Sequence, residues 1–171
     1  MKAIRDLVRD VPDFPKPGIL FKDITPVLND GEALDAVIDA LAGLTRIYGA
    51  TRVVGIESRG FILGTPVAAR LGLPFVPVRK PGKLPHDTAR VEYTLEYGTD
   101  ALEIHLDAVG EGDRVVIIDD LLATGGTAEA ACKLIEERGA EVAAVLVMIE
   151  LKALEGRGRL TPRQVVSLLD Y

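Results

Sequence analysis

Cysteine is nearly absent: Cys132 stands alone among 171 residues. An internal disulfide is excluded, and the count fits a reducing, cytoplasmic setting. Histidine is scarce too, and neither His86 nor His105 has the partner spacing of a metal site or a catalytic triad. No apolar run approaches the roughly 20 residues of a membrane helix, so no membrane role is expected. Positive charge is in deficit, with 20 Lys and Arg against 26 Asp and Glu, a net charge of −6 and a pI near 5.0. That balance argues against nonspecific binding of nucleic acid. Repeats, low-complexity tracts and linkers are missing. The opening residues Met1 to Asp6 carry an acid early and lead to no long apolar segment, so no signal peptide is expected. With 48% apolar and 27% charged residues, the chain fits one soluble α/β domain over 1–171 with a real core.

The richest stretch runs from Arg114 to Thr127. Val115, Val116, Ile117 and Ile118 form a short branched apolar run, the mark of a buried strand in a parallel sheet. Asp119 and Asp120 follow, where that strand is expected to end. Then comes Ala123-Thr124-Gly125-Gly126-Thr127, and a helical pattern starts at once, with Ala128, Ala131, Leu134 and Ile135 on its inner side. Unpaired N–H groups at a helix start bind anions, and the helix dipole adds to this. Gly125 and Gly126 let a phosphate approach the backbone, and the two Thr hydroxyls can donate. The carboxylates would repel a phosphate in contact but suit sugar hydroxyls, or water on a divalent cation. A ribose 5-phosphate has both parts. No Lys follows the glycines, so this is no Walker A loop, and the spacing is wrong for a dinucleotide fingerprint. A plain capped turn is the bland alternative, but it needs no paired acids.

Around this stretch the elements follow from pattern. Residues 2–8 form a short amphipathic helix. Val11 to Gly18 holds three prolines and is expected to be a stiff extended loop. Asn29 and Glu32 suggest a capping box for a helix with Leu34, Val37, Ile38, Leu41 and Leu44 inward and Gly49 as its stop. A strand over 52–56 leads into the turn Glu57-Ser58-Arg59-Gly60 and a helix over 61–71. A strand over 74–78 leads into the polar stretch 79–89, which is long for a structureless loop and suggests a lid. Residues 91–97 and 102–106 alternate like a solvent-facing antiparallel pair, and further strands are expected over 142–149 and 164–169. Strand–helix alternation implies a parallel sheet whose strand ends gather the turns 57–60, 79–89 and 119–127 on one edge.

The residues from Ile117 to Thr127 resemble the phosphoribosyl diphosphate (PRPP) motif of type I phosphoribosyltransferases. The form Asp-Asp-Leu-Leu-Ala-Thr-Gly-Gly-Thr is similar to that of the adenine-specific branch. The likeness extends from Asp13 to Leu169. It includes Phe14 to Ile24, the Glu-Ser-Arg-Gly turn, Arg79 to Pro85 and Leu95 to Gly98. It implies a central parallel sheet flanked by helices, a small base-binding hood over 1–28, and a flexible antiparallel lid over 79–106. It implies that Asp119 and Asp120 hold the ribose and Ala123, Thr124, Gly125, Gly126 and Thr127 hold the 5′-phosphate. Pyrophosphate falls to Ser58, Arg59, Arg79 and Lys83, with a cis bond at Glu57–Ser58. Adenine falls to the backbone near Leu20 and Lys22 and to the Phe21 ring, and proton transfer to Glu96. Mg²⁺ would be carried by PRPP rather than by protein ligands, and the enzyme would be a homodimer. The family often has Arg where this chain has Lys22, and Lys lacks the planar fork.

The activity this implies is adenine plus PRPP giving AMP plus pyrophosphate. Two alternatives stand beside it: transfer to another base, or a PRPP-sensing regulator without turnover. A regulator of that kind usually adds a basic nucleic-acid-binding part, and none is evident.

Overall fold

The computed structural model describes residues 2–94 and 98–171. The chain opens with α1 (Lys2–Leu7), which buries Ile4. β1 (Arg9–Pro12) and β2 (Leu20–Asp23) then pair antiparallel, with Val11 opposite Phe21. The stiff segment expected over 11–18 therefore gives its first two residues to a strand. Pro12 ends that strand, where a missing N–H costs least. α2 (Thr25–Leu28) and α3 (Gly31–Ile47) follow. The cap of α3 differs by one residue from the sequence expectation: Asp30, not Asn29, accepts from the Ala33 N–H at 2.9 Å. Asn29 instead closes α2 through its backbone, so the cap falls to the next acceptor side chain.

The body of the fold is a five-stranded parallel sheet. Its strands are β3 (Arg52–Ile56), β4 (Phe75–Val78), β7 (Arg114–Leu122), β8 (Glu141–Glu150) and β9 (Val165–Asp170). Their order is β4-β3-β7-β8-β9. α4 (Arg59–Leu71) links β3 to β4, and α5 (Gly126–Glu137) links β7 to β8. Successive side chains of a strand face opposite ways, and both faces are apolar here. Val53, Val116 and Ile118 pack with Val37, Leu41 and Leu63 of α3 and α4. Val54, Val115 and Ile117 pack with Ala131, Leu134 and Ile135 of α5. This two-sided burial is why β7 reads as an unbroken apolar run rather than an alternating one. Each fully buried Leu or Ile contributes about 1.5–3 kcal/mol.

β5 (Thr88–Thr94) and β6 (Thr99–His105) form the expected antiparallel hairpin, starting three residues earlier on each arm. β5 alternates as anticipated, with Arg90 and Glu92 exposed. β6 does not face solvent: Ala101, Leu102, Glu103 and Ile104 are all buried. Leu102 and Ile104 join the α5 core. Glu103 pairs through its backbone with Arg79, and its carboxylate accepts from the Gly82 N–H at 3.0 Å. The second arm is thus part of the body.

A second correction concerns the acids. β7 does not stop before them. It runs to Leu122, with Leu121 opposite Ile149 and Leu122 opposite Glu150, so Asp119 and Asp120 lie inside the strand. Polar residues ended the apolar run without ending the backbone pairing, which β8 continues to supply.

α4 reaches the sheet through Gly60, where a Cβ would lie 2.6 Å from the Ile118 carbonyl oxygen. That neighbour is backbone and cannot swing aside. Gly60→Ala should therefore destabilise the fold by about 1–3 kcal/mol, lowering the thermal midpoint by about 2–4 °C per kcal/mol. A thermal melt followed by circular dichroism checks this; an unchanged midpoint would refute the close approach.

Candidate active site

The sheet order reverses between β3 and β7: from β3 the chain moves one way to β4, and from β7 the other way to β8 and β9. Open parallel sheets bind ligands in the crevice at such a point, outside the carboxyl ends of the strands. A cleft of about 340 Å³ lies there. It is lined by Glu57, Ser58 and Arg59 after β3, by 119–128 at the end of β7 and the start of α5, and by Lys80 and Tyr93.

The floor is the acid pair. Asp120 is 4% exposed, and its Oδ2 receives the Arg59 Nε at 2.5 Å. Asp119 lies partly open to the cleft and accepts the Asp120 N–H at 2.9 Å. Burial, and then the neighbouring Asp120 charge, push the Asp119 carboxyl well above the ordinary range. Two carboxyl groups are held side by side, with one guanidinium bonded to Asp120.

The next turn supplies donors. Gly125 is the N-cap of α5 with φ 84°, a left-handed conformation that a side chain would resist. The first helical bond runs from the Glu129 N–H to the Gly125 oxygen at 2.9 Å. The N–H groups of Gly126, Thr127 and Ala128 are thereby left without helical acceptors. Ala123, Thr124, Gly125, Gly126 and Thr127 all line the cleft, as do Ser58 and Arg59. The Glu57–Ser58 peptide bond is cis, at the position the resemblance implied. The Ser58 hydroxyl caps nothing and faces no helical duty.

Arg79 and Lys83 are not among the lining residues. The Arg79 Nε pairs with Glu57 Oε2 at 3.0 Å, and its Nη1 donates to the Lys83 backbone oxygen at 3.1 Å. Lys83 itself is exposed. Lys80, from the same basic run, lines the cleft instead. Its ammonium bonds the Asp100 carboxylate and lies 3.4 Å from the Tyr93 hydroxyl, which is 3.4 Å from Thr127 Oγ1. Lys80 and Tyr93 were missed at the sequence level. The run was legible but not which of its cations turns inward; for Tyr93 the alternation Val91, Tyr93 along β5 was the available signal. Glu96 lies outside the described residues.

A second, more apolar cavity of about 390 Å³ adjoins, lined by Val11, Phe14, Phe21, Lys22, Asp23, Ile24, Thr25 and again Arg59. The rings of Phe14 and Phe21 meet edge to face at 5.2 Å, and the Arg59 guanidinium lies 5.5 Å from the Phe21 centroid. The Lys22 ammonium is engaged by Asp10 at 2.5 Å and stacks 4.2 Å from the Tyr171 ring centre. Leu20 is about half exposed and lies outside the cavity wall. Cys132 is buried in the α5 core, and burial pushes its thiol up to about 12, which suits packing and not nucleophilic chemistry.

Residues 25–167 match the model of the phosphoribosyl transferase domain family. An adenine phosphoribosyltransferase of Methylococcus capsulatus is 56% identical over 171 residues, covering all of both chains. The adenine phosphoribosyltransferase of Thermoanaerobacter pseudethanolicus superposes with a TM-score of 0.97 at 52% identity, over 99% of each chain. The chain belongs to the adenine phosphoribosyltransferases. The Saccharomyces cerevisiae member of this family superposes with a TM-score of 0.93 at 38% identity, over 98% of this chain and 97% of its own. It was crystallised with adenine and an imino-altritol bisphosphate.

The acid pair makes a stability prediction. The Asp119 pKa is raised on folding, so its charge opposes the folded state. The penalty is absent below the unfolded value, near 3.8, grows as pH rises from there, and is complete once pH passes the folded value. Asp119→Asn keeps the acceptor for the Asp120 N–H. It should raise the thermal midpoint of the ligand-free protein at pH 7, by about 2–4 °C for each kcal/mol relieved, and less at pH 4. Melts at the two pH values check it; a gain at pH 4 equal to that at pH 7 would contradict the sign.

Proposed function

We infer that this chain transfers the 5-phosphoribosyl group of PRPP to adenine, forming AMP and releasing pyrophosphate. The observation that carries the reading is the meeting of two unlike cavities at one residue. A polar cleft with paired acids and free helix N–H groups shares Arg59 with an apolar pocket walled by Phe14 and Phe21.

In this reading the 5′-phosphate takes the N–H groups at the start of α5 and the hydroxyls of Thr124 and Thr127, assisted by the helix dipole. The ribose hydroxyls donate to Asp119 and Asp120. Those donors stabilise the charged carboxylates, so substrate binding relieves part of the repulsion that folding built in. The pyrophosphate lies toward Ser58, Arg59 and Lys80, with Arg79 and Lys83 joining as the stretch above them closes. Among the described residues no cluster of three or more His, Cys, Asp or Glu could hold a metal ion. Mg²⁺ would arrive on substrate oxygens, with the acid pair able to reach its water. When bound, the ion supplies positive charge against the departing diphosphate.

Adenine enters the apolar pocket and lies on Phe21, and the backbone from Leu20 to Lys22 reads its amino edge. A 6-oxopurine presents the reverse pattern of donors and acceptors and would leave buried groups unpaired. N9 of the base forms a bond to C1 of the ribose. The C1–O bond breaks, its electron pair leaves with pyrophosphate, and the N9 proton passes to water or to the leaving pyrophosphate; Glu96 is the group proposed for proton transfer at the purine ring, as a donor. The protein's part is to align N9 with C1 and to neutralise the leaving group. The same family reading makes the enzyme a cytoplasmic homodimer with a hood over 1–28 and a lid drawn from 79–106, of which β6 belongs to the body. No helix among the described residues is long and apolar enough to cross a membrane.

Incubation with PRPP, Mg²⁺ and an equimolar mixture of adenine, hypoxanthine, guanine and orotate should yield AMP and pyrophosphate. The other bases should react at least about a hundredfold less efficiently. Asp120→Asn should lower kcat/KM for PRPP by about tenfold or more. PRPP binding without any product would favour the regulator instead, and IMP, GMP or OMP as main product would move the base assignment.

A further inference from the structure

The loop 123–125 is backed by another segment of the chain. Its underside lies against Gly156, backbone to backbone. A Cβ built on Gly125 would meet the Gly156 oxygen at 2.4 Å. One built on Gly156 would meet the Ala123 oxygen at 2.1 Å and the Gly125 nitrogen at 2.8 Å. Gly156 begins α6 (Gly156–Arg159), a single turn far too short to be stable alone. The residue before it, Glu155, has φ 52° without being glycine, a conformation that its surroundings must impose.

The restraint comes from the next residue. Arg157 forms a two-pronged pair with Glu150: Nε to Oε1 at 3.0 Å and Nη2 to Oε2 at 2.5 Å. Its third donor, Nη1, reaches the Val165 oxygen at 2.5 Å. Glu150 is 4% exposed and also accepts from the Ser167 hydroxyl at 3.0 Å. It ends β8 directly opposite Leu122, which ends β7, and the Leu151 N–H closes onto the Leu122 oxygen at 2.9 Å. The carboxylate is thus anchored beside the residue from which the loop springs, and the guanidinium returns from it to Gly156. The fork holds Arg157 in orientation as well as in place, which a point charge would not do. Neither Glu150 nor Arg157 lines the cleft.

We propose that Arg157, locked by Glu150, is a positioning residue for the phosphate loop: it presses the Gly156 backbone against 123–125 and so fixes the direction of the N–H groups that receive the ribose phosphate. The proposal rests on the reading of 123–127 as the 5′-phosphate seat. It predicts a loss confined to one substrate. The base pocket is built from residues of 11–25 and from Arg59, and shares no residue with this brace.

The test compares wild type with Arg157→Met, Arg157→Lys and Glu150→Gln, at a temperature where circular dichroism shows each folded. Calorimetry measures binding of ribose 5-phosphate, and steady-state kinetics gives KM for PRPP and, at saturating PRPP, KM for adenine. Arg157→Met should weaken ribose 5-phosphate and raise KM for PRPP on the order of tenfold, with KM for adenine within about twofold. Arg157→Lys should recover part of the loss. If Arg157→Met does not fold, Glu150→Gln, which keeps the shape and one acceptor, should show the same split. Unchanged ribose 5-phosphate affinity in a folded variant, or equal losses for both substrates, overturns the proposal. Wild type that fails to bind ribose 5-phosphate would instead overturn the functional reading beneath it.

Discussion

Two carboxyl groups set side by side within β7 are the constraint on which the rest of the structure turns. Asp119 and Asp120 repel each other and have lost much of their water, which raises the Asp119 pKa. A folded chain keeps such a pair only if its surroundings fix it. Here β8 continues to pair with β7 past both acids, so they cannot separate by fraying the strand. Gly60 lets α4 lie close enough for the following side chains to reach over the sheet. From that helix start, Arg59 meets Asp120. The guanidinium does not cancel two charges, and the remainder is an unmet demand for hydrogen-bond donors. A sugar diol meets it, and catalytic sites commonly hold such stored cost.

An acidic protein that binds a polyphosphate must place its cations and donors locally. The net charge of −6 offers no long-range help to an anion. The donors beside the acids are therefore backbone N–H groups, which carry no net charge and do not pair off with the carboxylates as lysines would. Lys80 illustrates the alternative: in the ligand-free chain its ammonium is already taken by Asp100, and a phosphate reaching it must compete. The N–H groups at the start of α5 face no such competition.

Much of this was legible from residues alone. The run 115–118 as a buried strand, the glycine turn and the helix after it follow from local pattern, and the parallel sheet follows from their alternation. What failed were matters of neighbours rather than of local pattern. The acids looked like a strand end because polarity was read as an end of pairing, while the partner strand decides that. β6 looked half solvated because its charged Glu103 marks exposure in sequence, yet that carboxylate is spent on the Gly82 N–H. Asn29 and Asp30 are both good caps, and only geometry chooses between them. Gly156 carries no signal at all: a glycine in a polar segment thirty residues from the loop gives no hint that it lies against Gly125.

That last case explains why the site is more than its motif. A loop of small residues can approach a phosphate closely, and for the same reason it cannot stiffen itself. Ala123, Gly125 and Gly126 have no polar side chains with which to lock their peptide planes. Rigidity must be imported from below, and the importing residues must be as lean as the loop, or the approach is lost. Gly156 meets that requirement by contact through backbone atoms alone. The fork between Arg157 and Glu150 then supplies what glycine lacks, at one residue's remove. The motif provides the donors, and the end of the neighbouring strand sets where they point.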